Sequence, residues 1–306
     1  MRNNIDNKIN FGFFGTPEVA SETLEILKEK GFIPLFIITS PDEKKGRGLH
    51  LQASPVAIFA EKNNIPCLKP EKLDENFNLV VGVPNGTPTT KWDLFIVVAY
   101  GKIIPEKIIN MPKLGSINIH YSLLPKYRGA SPVESAIRQG DTETGITIQK
   151  MKFKMDSGPI IAQKKVFILP DEKAPDLRRK LIKIGGELLV KILPEFAAGK
   201  IKLTPQNESL ASVCKKIKKE DGLVNLEKEP PSVLYNKFRA YAYWPRTFFF
   251  VRRNLGKGRF SNIRTIITDA ELRDNKFVIK RVLPEGKKEI KYEDFQKLSN
   301  LPDRQI

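Results

Sequence analysis

The sequence predicts an α/β protein in which a mostly parallel sheet is followed by a small β-barrel module. Three observations carry this expectation. Apolar runs of strand length alternate with amphipathic stretches of helix length through residues 1–193. The C-terminal part holds one short helical stretch and then closely spaced alternating segments. The 306 residues also exceed the ~100–200 usual for one domain, which points to two.

Residues 9–14 form an apolar run that ends in Gly15-Thr16-Pro17-Glu18, a buried strand followed by a tight turn and a helix start. Thr16 suits the cap and Pro17 the first helical position. The stretch 18–30 stops near Gly31, and residues 32–39 supply the second strand of a βαβ beginning. A polar loop over 40–54 precedes a helix at 55–63. Residues 79–90 are rich in Gly and Pro and read as an irregular loop. The near-continuous apolar run 94–100 predicts a strand covered on both faces. Further strands are expected at Ser116–His120, 144–152 and 160–166, with helices at Pro132–Gln139 and 174–193. Residues 194–205 break the pattern at Pro194. The division is therefore a first domain over 1–193, a linker over 194–205 and a terminal module over 206–306, the last with a helix near 232–240 and strands at 246–252, 262–268, 277–282 and 289–292.

Hydrophobic residues make up 41% and charged residues 28%, the balance of a globular chain rather than a disordered one. No apolar run reaches the ~18–20 residues of a membrane span, and MRNNIDNKIN lacks the apolar core of a signal peptide, so a cytoplasmic address is expected. Cys67 and Cys214 have no CxxC spacing; neither a disulfide framework nor a zinc site is expected, and both read as small buried hydrophobes. The formal charge is +17. Residues 205–306 hold 22 Lys/Arg against 13 Asp/Glu, whereas residues 1–204 hold 30 against 22, so basic charge is concentrated in the last third. Such a surface attracts polyanions, nucleic acid among them; a solvated lysine-rich face is the alternative.

The densest chemical signal is residues 116–132, SINIHYSLLPKYRGASP. On a strand, Asn118 and His120 share one face while Ile117 and Ile119 point to the other. An amide and an imidazole that converge at the carboxyl end of a parallel strand can both donate to an oxyanion developing on an attacked carbonyl. Taken alone, the pair also fits a structural role, and Asp156 before Gly158 also fits a turn. No GxGxxG or GxxxxGK[ST] loop is present, which disfavours a dinucleotide or P-loop enzyme.

Asn118, His120, Ser122-Leu123-Leu124-Pro125, Arg128-Gly129-Ala130, Pro132 and Asp156-Ser157-Gly158 stand in the order of the folate-dependent formyltransferase motif. The chain resembles that family along nearly its whole length. The resemblance implies a Rossmann-like first domain and an OB-like second one. It also implies that Asn118, His120 and Asp156 are catalytic, and that Ser122, Leu123, Leu124 and Pro125 border the folate site. The formyl donor is then 10-formyltetrahydrofolate, with no metal. Phe14-Gly15-Thr16-Pro17-Glu18 resembles the opening turn of those members that formylate initiator methionyl-tRNA. Residues 39–55, with Lys44, Lys45 and Arg47, resemble the loop that meets the acceptor end of the tRNA, although as sequence they also read as a solvated loop. Lys215, Lys216, Lys218 and Lys219, together with Arg239-Ala240-Tyr241 and Trp244-Pro245, look like the tRNA-binding terminal domain. Trp244 by itself reads as a core residue, and His50 as a surface one. A monomer is the expected state.

An amine that attacks a formamide carbon develops O⁻ and ammonium charge. Asn118 and a protonated His120 can donate to the former, and Asp156 can support the imidazolium and take the amine proton. A sugar-amine or glycinamide ribonucleotide formyltransferase would need the same three groups. Against the ribonucleotide enzyme stand the basic terminal module and the GRG-bearing loop; against a non-catalytic RNA-binding protein stands the presence of all three polar residues.

Overall fold

The computed structural model describes residues 9–45, 48–74, 77, 79, 92–254 and 260–299. The chain forms two compact units, one of residues 1–128, 145–166 and 179–213, the other of residues 129–144, 167–178 and 214–306. Residues 80–90 of the expected irregular loop, and Arg47, lie outside the described residues.

The first unit is built on β1 (Phe11–Gly15), α1 (Glu18–Glu29) and β2 (Phe36–Ile38), the expected βαβ beginning. All five residues of β1 are buried, so both of its faces are covered. Gly12 makes this possible: a Cβ there would stand 2.2 Å from the Phe36 ring. Helix α1 buries Val19, Ala20, Thr23, Leu24 and Leu27, a single stripe at helical spacing. Its start departs from expectation, because Pro17 occupies the cap position and no side chain caps the helix. The Thr16 hydroxyl instead donates to the Tyr100 carbonyl at 3.0 Å and stands 3.1 Å from Ser40 Oγ, tying the turn to neighbouring loops.

Residues 40–54, expected as a loop, contain a hairpin of β3 (Glu43–Lys45) and β4 (His50–Gln52). Their polar side chains carry no apolar alternation by which a strand is recognised. Helix α2 (Pro55–Lys62) starts as the sequence indicates, with Ser54 Oγ accepting from Ala57 N at 3.0 Å and Pro55 in the first turn. Strand β5 (Cys67–Leu68) is too short to have been read; β6 (Leu94–Val98), α3 (Glu106–Ile109) and β7 (Ser116–His120) follow. After β8 (Arg128–Gly129) and α4 (Pro132–Gln139), strands β9 (Glu143–Lys150) and β10 (Ile160–Phe167) complete a sheet of order β10-β9-β7-β6-β1-β2-β5. Pairings from β7 through β6, β1, β2 and β5 are parallel, whereas β9 runs antiparallel to β7.

Helix α5 (Ala174–Ala197) continues past Pro194, where a break was expected. The proline cannot donate, but its carbonyl accepts from Ala198 N at 3.1 Å, and Leu193 and Phe196 extend the buried stripe. Burial of that stripe outweighs one missing bond.

In the second unit, β11 (Val213–Cys214) at the segment boundary is followed by α6 (Pro231–Ala240), which packs on α4. Strands β12 (Phe248–Asn254), β13 (Phe260–Arg273), β14 (Lys276–Pro284) and β15 (Ile290–Lys291) pair antiparallel in chain order, and α7 (Tyr292–Ser299) follows. The four expected strands are all present. Val224, Leu234, Phe238, Phe249, Ile267, Phe277, Val282 and Phe295 form one buried cluster between sheet and helices.

The first unit's aromatic cluster joins Phe36 to Trp92 at 4.7 Å and to Phe95 at 5.8 Å between ring centroids. Phe36→Ala should lower unfolding stability by about 3–5 kcal/mol, read as a reduced denaturant midpoint of the native protein. A change below about 1 kcal/mol would show that the neighbouring rings collapse into the space.

Candidate active site

Strand β7 is bonded on both edges, with Asn118 opposite Val97 of β6 and Gln149 of β9, and His120 opposite Thr147 of β9. Its position in the sheet interior holds the backbone beneath both polar side chains. Ile117 and Ile119 are buried on the other face, as the alternation requires. Asn118 is half-buried, and among the described residues its amide has no protein partner, so both of its hydrogens are open to a ligand.

His120 is 5% exposed. Its Nε2 lies 2.8 Å from the Tyr127 carbonyl, which can only accept; Nε2 therefore carries a proton in either charge state. Tyr127 adopts φ +59°, a left-handed conformation unusual for an aromatic residue. The other ring nitrogen, Nδ1, stands 3.6 Å from Asp156 Oδ2, within ion-pair reach but beyond a hydrogen bond. The structure thus brings His120 and Asp156 together and leaves Nδ1 as the nitrogen available for chemistry.

Asp156 also has a positive φ, +50°. Its Oδ1 accepts from Gln149 Nε2 at 2.9 Å, while Gln149 Oε1 accepts from Gly158 N at 3.2 Å. One side chain of β9 therefore holds both ends of the Asp156-Ser157-Gly158 turn. Only glycine fits at its end, because a Cβ on Gly158 would stand 1.6 Å from the Lys150 carbonyl oxygen. Gln206 Nε2 donates to the carbonyls of Asp156 at 2.9 Å and Gly158 at 2.7 Å. Its Oε1 accepts from Arg128 Nε at 3.0 Å and Nη2 at 2.7 Å. Arg128 is buried and forms a two-pronged pair with Glu208, at 3.0 and 2.7 Å. The hydrogen bond from Arg128 holds the Glu208 carboxyl down to about 2. A depressed carboxylate stabilises the fold above its ordinary range and loses that contribution only as pH falls towards 2, so the pair persists at neutral pH.

The segment of Ser122, Leu123, Leu124 and Pro125 is held by its backbone. Thr147 Oγ1 donates to the Ser122 carbonyl at 2.7 Å and accepts from Leu124 N at 3.0 Å, and Gln163 Nε2 donates to the Leu124 carbonyl at 2.8 Å. Ser122 Oγ closes the turn on the Lys126 carbonyl. A cleft lined by Leu73, Asp74, Ile103, Pro105, Glu106 and Phe153 opens on the same unit, with Ile103 79% and Phe153 60% exposed. Tyr127, Thr147, Gln149, Gln163, Gln206 and Glu208 were not marked by sequence, since each acts through a backbone group or a distant partner.

The basic residues are dispersed over the two units. Lys44 lies on β3 and is exposed; Lys45 ends the same strand opposite His50, which is exposed as expected. Lys215, Lys216, Lys218 and Lys219 are all exposed in the second unit. Trp244 is 48% exposed, which corrects its reading as core, and neighbouring Tyr243 is 85% exposed. The turn between α6 and β12 turns Trp244 outward and buries Tyr241 and Phe248 in its place. Cys214 is buried and Cys67 partly so, both as free thiols. Among the described residues no group of His, Cys, Asp and Glu is disposed to hold a metal ion, and no helix is long and apolar enough to cross a membrane.

The sequence and the fold have relatives among known proteins. A family model described as Formyl transferase matches residues 7–193. A methionyl-tRNA formyltransferase of Thermotoga maritima is 41% identical over 229 residues, covering 75% of this chain and 71% of that protein. One of Dictyoglomus thermophilum is 41% identical over 248 residues, 80% of this chain and 77% of its own. Among solved structures, an N-formyltransferase from Helicobacter canadensis in complex with folinic acid and dTDP-3-aminofucose has a TM-score of 0.57 at 20% identity, covering 89% of this chain and 95% of that one; this likeness concerns the fold alone. By the span of the family match and the extent of these identities, the chain belongs to the formyl transferase family.

Proposed function

We propose that the chain transfers the formyl group of 10-formyltetrahydrofolate to the amino group of initiator methionyl-tRNA, producing N-formylmethionyl-tRNA for the start of translation. The observation that carries the reading is the approach of His120 Nδ1 to the Asp156 carboxylate at 3.6 Å, on the strand whose same face carries Asn118, an amide without a protein partner among the described residues. Identity of about two fifths to named methionyl-tRNA formyltransferases supports the acceptor.

In this reading the Asn118 amide and the imidazolium Nδ1–H of His120 donate to the oxyanion that develops as the amine attacks the formyl carbon. Tyr127 retains the Nε2 proton, so the imidazole always presents the same nitrogen. Asp156 stabilises the imidazolium and receives the amine proton, directly or through water; collapse of the intermediate then breaks the bond between the formyl carbon and folate N10, which takes up that proton and leaves as tetrahydrofolate. The nucleophile is the substrate's own amine, so no covalent intermediate on the protein is required. Ser122, Leu123, Leu124 and Pro125 border the folate, with Ile103 and Phe153 as apolar walls for a flat ring. Lys44, Lys45 and Arg47 face the acceptor end of the tRNA. Lys215, Lys216, Lys218 and Lys219 draw in its phosphates, so that of residues 206–306 the part in the second unit, from Cys214 on, binds the tRNA. The protein acts in the cytoplasm as a monomer.

Incubation with 10-formyltetrahydrofolate and methionyl-initiator tRNA, an amino sugar nucleotide or glycinamide ribonucleotide separates the possible acceptors. Formylation of the tRNA alone is expected, and formylation of either small amine in its place would replace the reading. Asn118→Ala and His120→Ala should each lower turnover about 10²–10³-fold with native circular dichroism, the loss expected for an oxyanion donor. Near-native turnover in both would remove the mechanism. Asp156→Asn keeps the shape and loses charge and base, and it should be similarly impaired. Replacing Lys215, Lys216, Lys218 and Lys219 together by Ala should raise KM for tRNA, preserve kcat and flatten the salt dependence by up to about 0.9 per lost phosphate contact. An unchanged slope would show the run to be a solvated face.

A further inference from the structure

We propose that Gln206 is a positioning residue for the reaction, setting the place of Asp156 and through it the surroundings of His120. The proposal rests on the formyl-transfer reading above. Gln206 follows α5 and is 50 residues from Asp156 in sequence. Paired backbone bonds between Ile160 and Thr204, at 2.7 and 2.9 Å, bring it beside the Asp156-Ser157-Gly158 turn.

The orientation of its amide follows from its partners. Arg128 presents only donors, so the Gln206 oxygen must face it; Asp156 and Gly158 present carbonyl oxygens, so the nitrogen must face them. The reversed amide would set donor against donor and acceptor against acceptor. A single side chain therefore links Arg128, whose neighbour Tyr127 holds His120 Nε2, to the turn whose Asp156 faces His120 Nδ1. Both groups that flank the imidazole are referenced to one amide. The Asp156 backbone is left-handed and needs outside support to persist, which two donated hydrogen bonds supply. Burial of Arg128 and its pair with Glu208 keep the far end of the link fixed.

Two variants separate positioning from mere filling of space. Gln206→Met keeps approximate volume and removes both sets of bonds. Gln206→Glu keeps an acceptor for Arg128 but sets a carboxylate oxygen against two carbonyls. Both should lower kcat about 10- to 100-fold, the range expected for misplacement of a catalytic group, with KM for tRNA and for formyl-folate changed by less than about 3-fold. Native kcat in Gln206→Glu would overturn the proposal, since receiving Arg128 would then suffice. A second readout does not depend on the acceptor. The chain has 2 histidines, His50 exposed and His120 buried, so imidazole nitrogen resonances resolve into a reporter and an internal control. In both variants the His120 signals should move while those of His50 stay. His120 signals identical to native in both would overturn the proposal. Should the native protein fail to formylate methionyl-tRNA, the functional reading falls and the His120 spectrum alone decides the role of Gln206.

Discussion

The antiparallel register of β9 on β7 is the interaction on which the site depends. It sets Thr147 opposite His120 and Gln149 opposite Asn118, so β9 meets the polar face of β7 with two hydrogen-bonding side chains. Thr147 fastens the loop after β7 by its backbone, and Gln149 fastens the turn that carries Asp156. A slip of one residue would carry Thr147 and Gln149 to the opposite face and leave both segments without an anchor. The parallel strands β6 and β1 behind β7 prevent such a slip, because their side chains are buried on both faces and leave no slack.

Two of the left-handed backbone residues stand where the site needs groups aimed. Tyr127 and Asp156 both have positive φ, each a conformation that costs on the order of 1–3 kcal/mol for a side-chain-bearing residue. Both lie beside His120 and both are held from outside, Tyr127 N by Ser212 Oγ and Asp156 by Gln149 and Gln206. Gly158 ends the turn against the Lys150 carbonyl, so the chain reverses in the least space available. These restraints fix the side chains around His120 in advance, the condition that the proposed oxyanion role would require.

Charge divides differently. The buried Arg128 is neutralised within its own unit by Glu208 and Gln206, and serves the architecture rather than an external anion. Lys215, Lys216, Lys218 and Lys219 are exposed, the condition under which lysines exchange counterions for phosphates. Burial thus separates a structural cation from those available to a polyanion, a distinction that composition by itself does not make.

Residue spacing alone determined the βαβ beginning, the buried strands at Phe11–Gly15, Leu94–Val98 and Ser116–His120, the four terminal strands, and the shared face of Asn118 and His120. These follow from periodicity and local turn chemistry, which act over a few residues. The β3–β4 hairpin, the passage of α5 through Pro194 and the outward turn of Trp244 were not legible in it. A polar hairpin carries no apolar signal, and the other two depend on what lies alongside. The tertiary structure alone decided that His120 Nε2 is taken by the Tyr127 carbonyl and that Asp156 is held by Gln149 and Gln206. Tyr127 meets His120, and Asp156 and Gly158 meet Gln206, through main-chain carbonyls brought near by strand pairing and chain return. A carbonyl is common to every residue, so sequence cannot say which one a side chain will find.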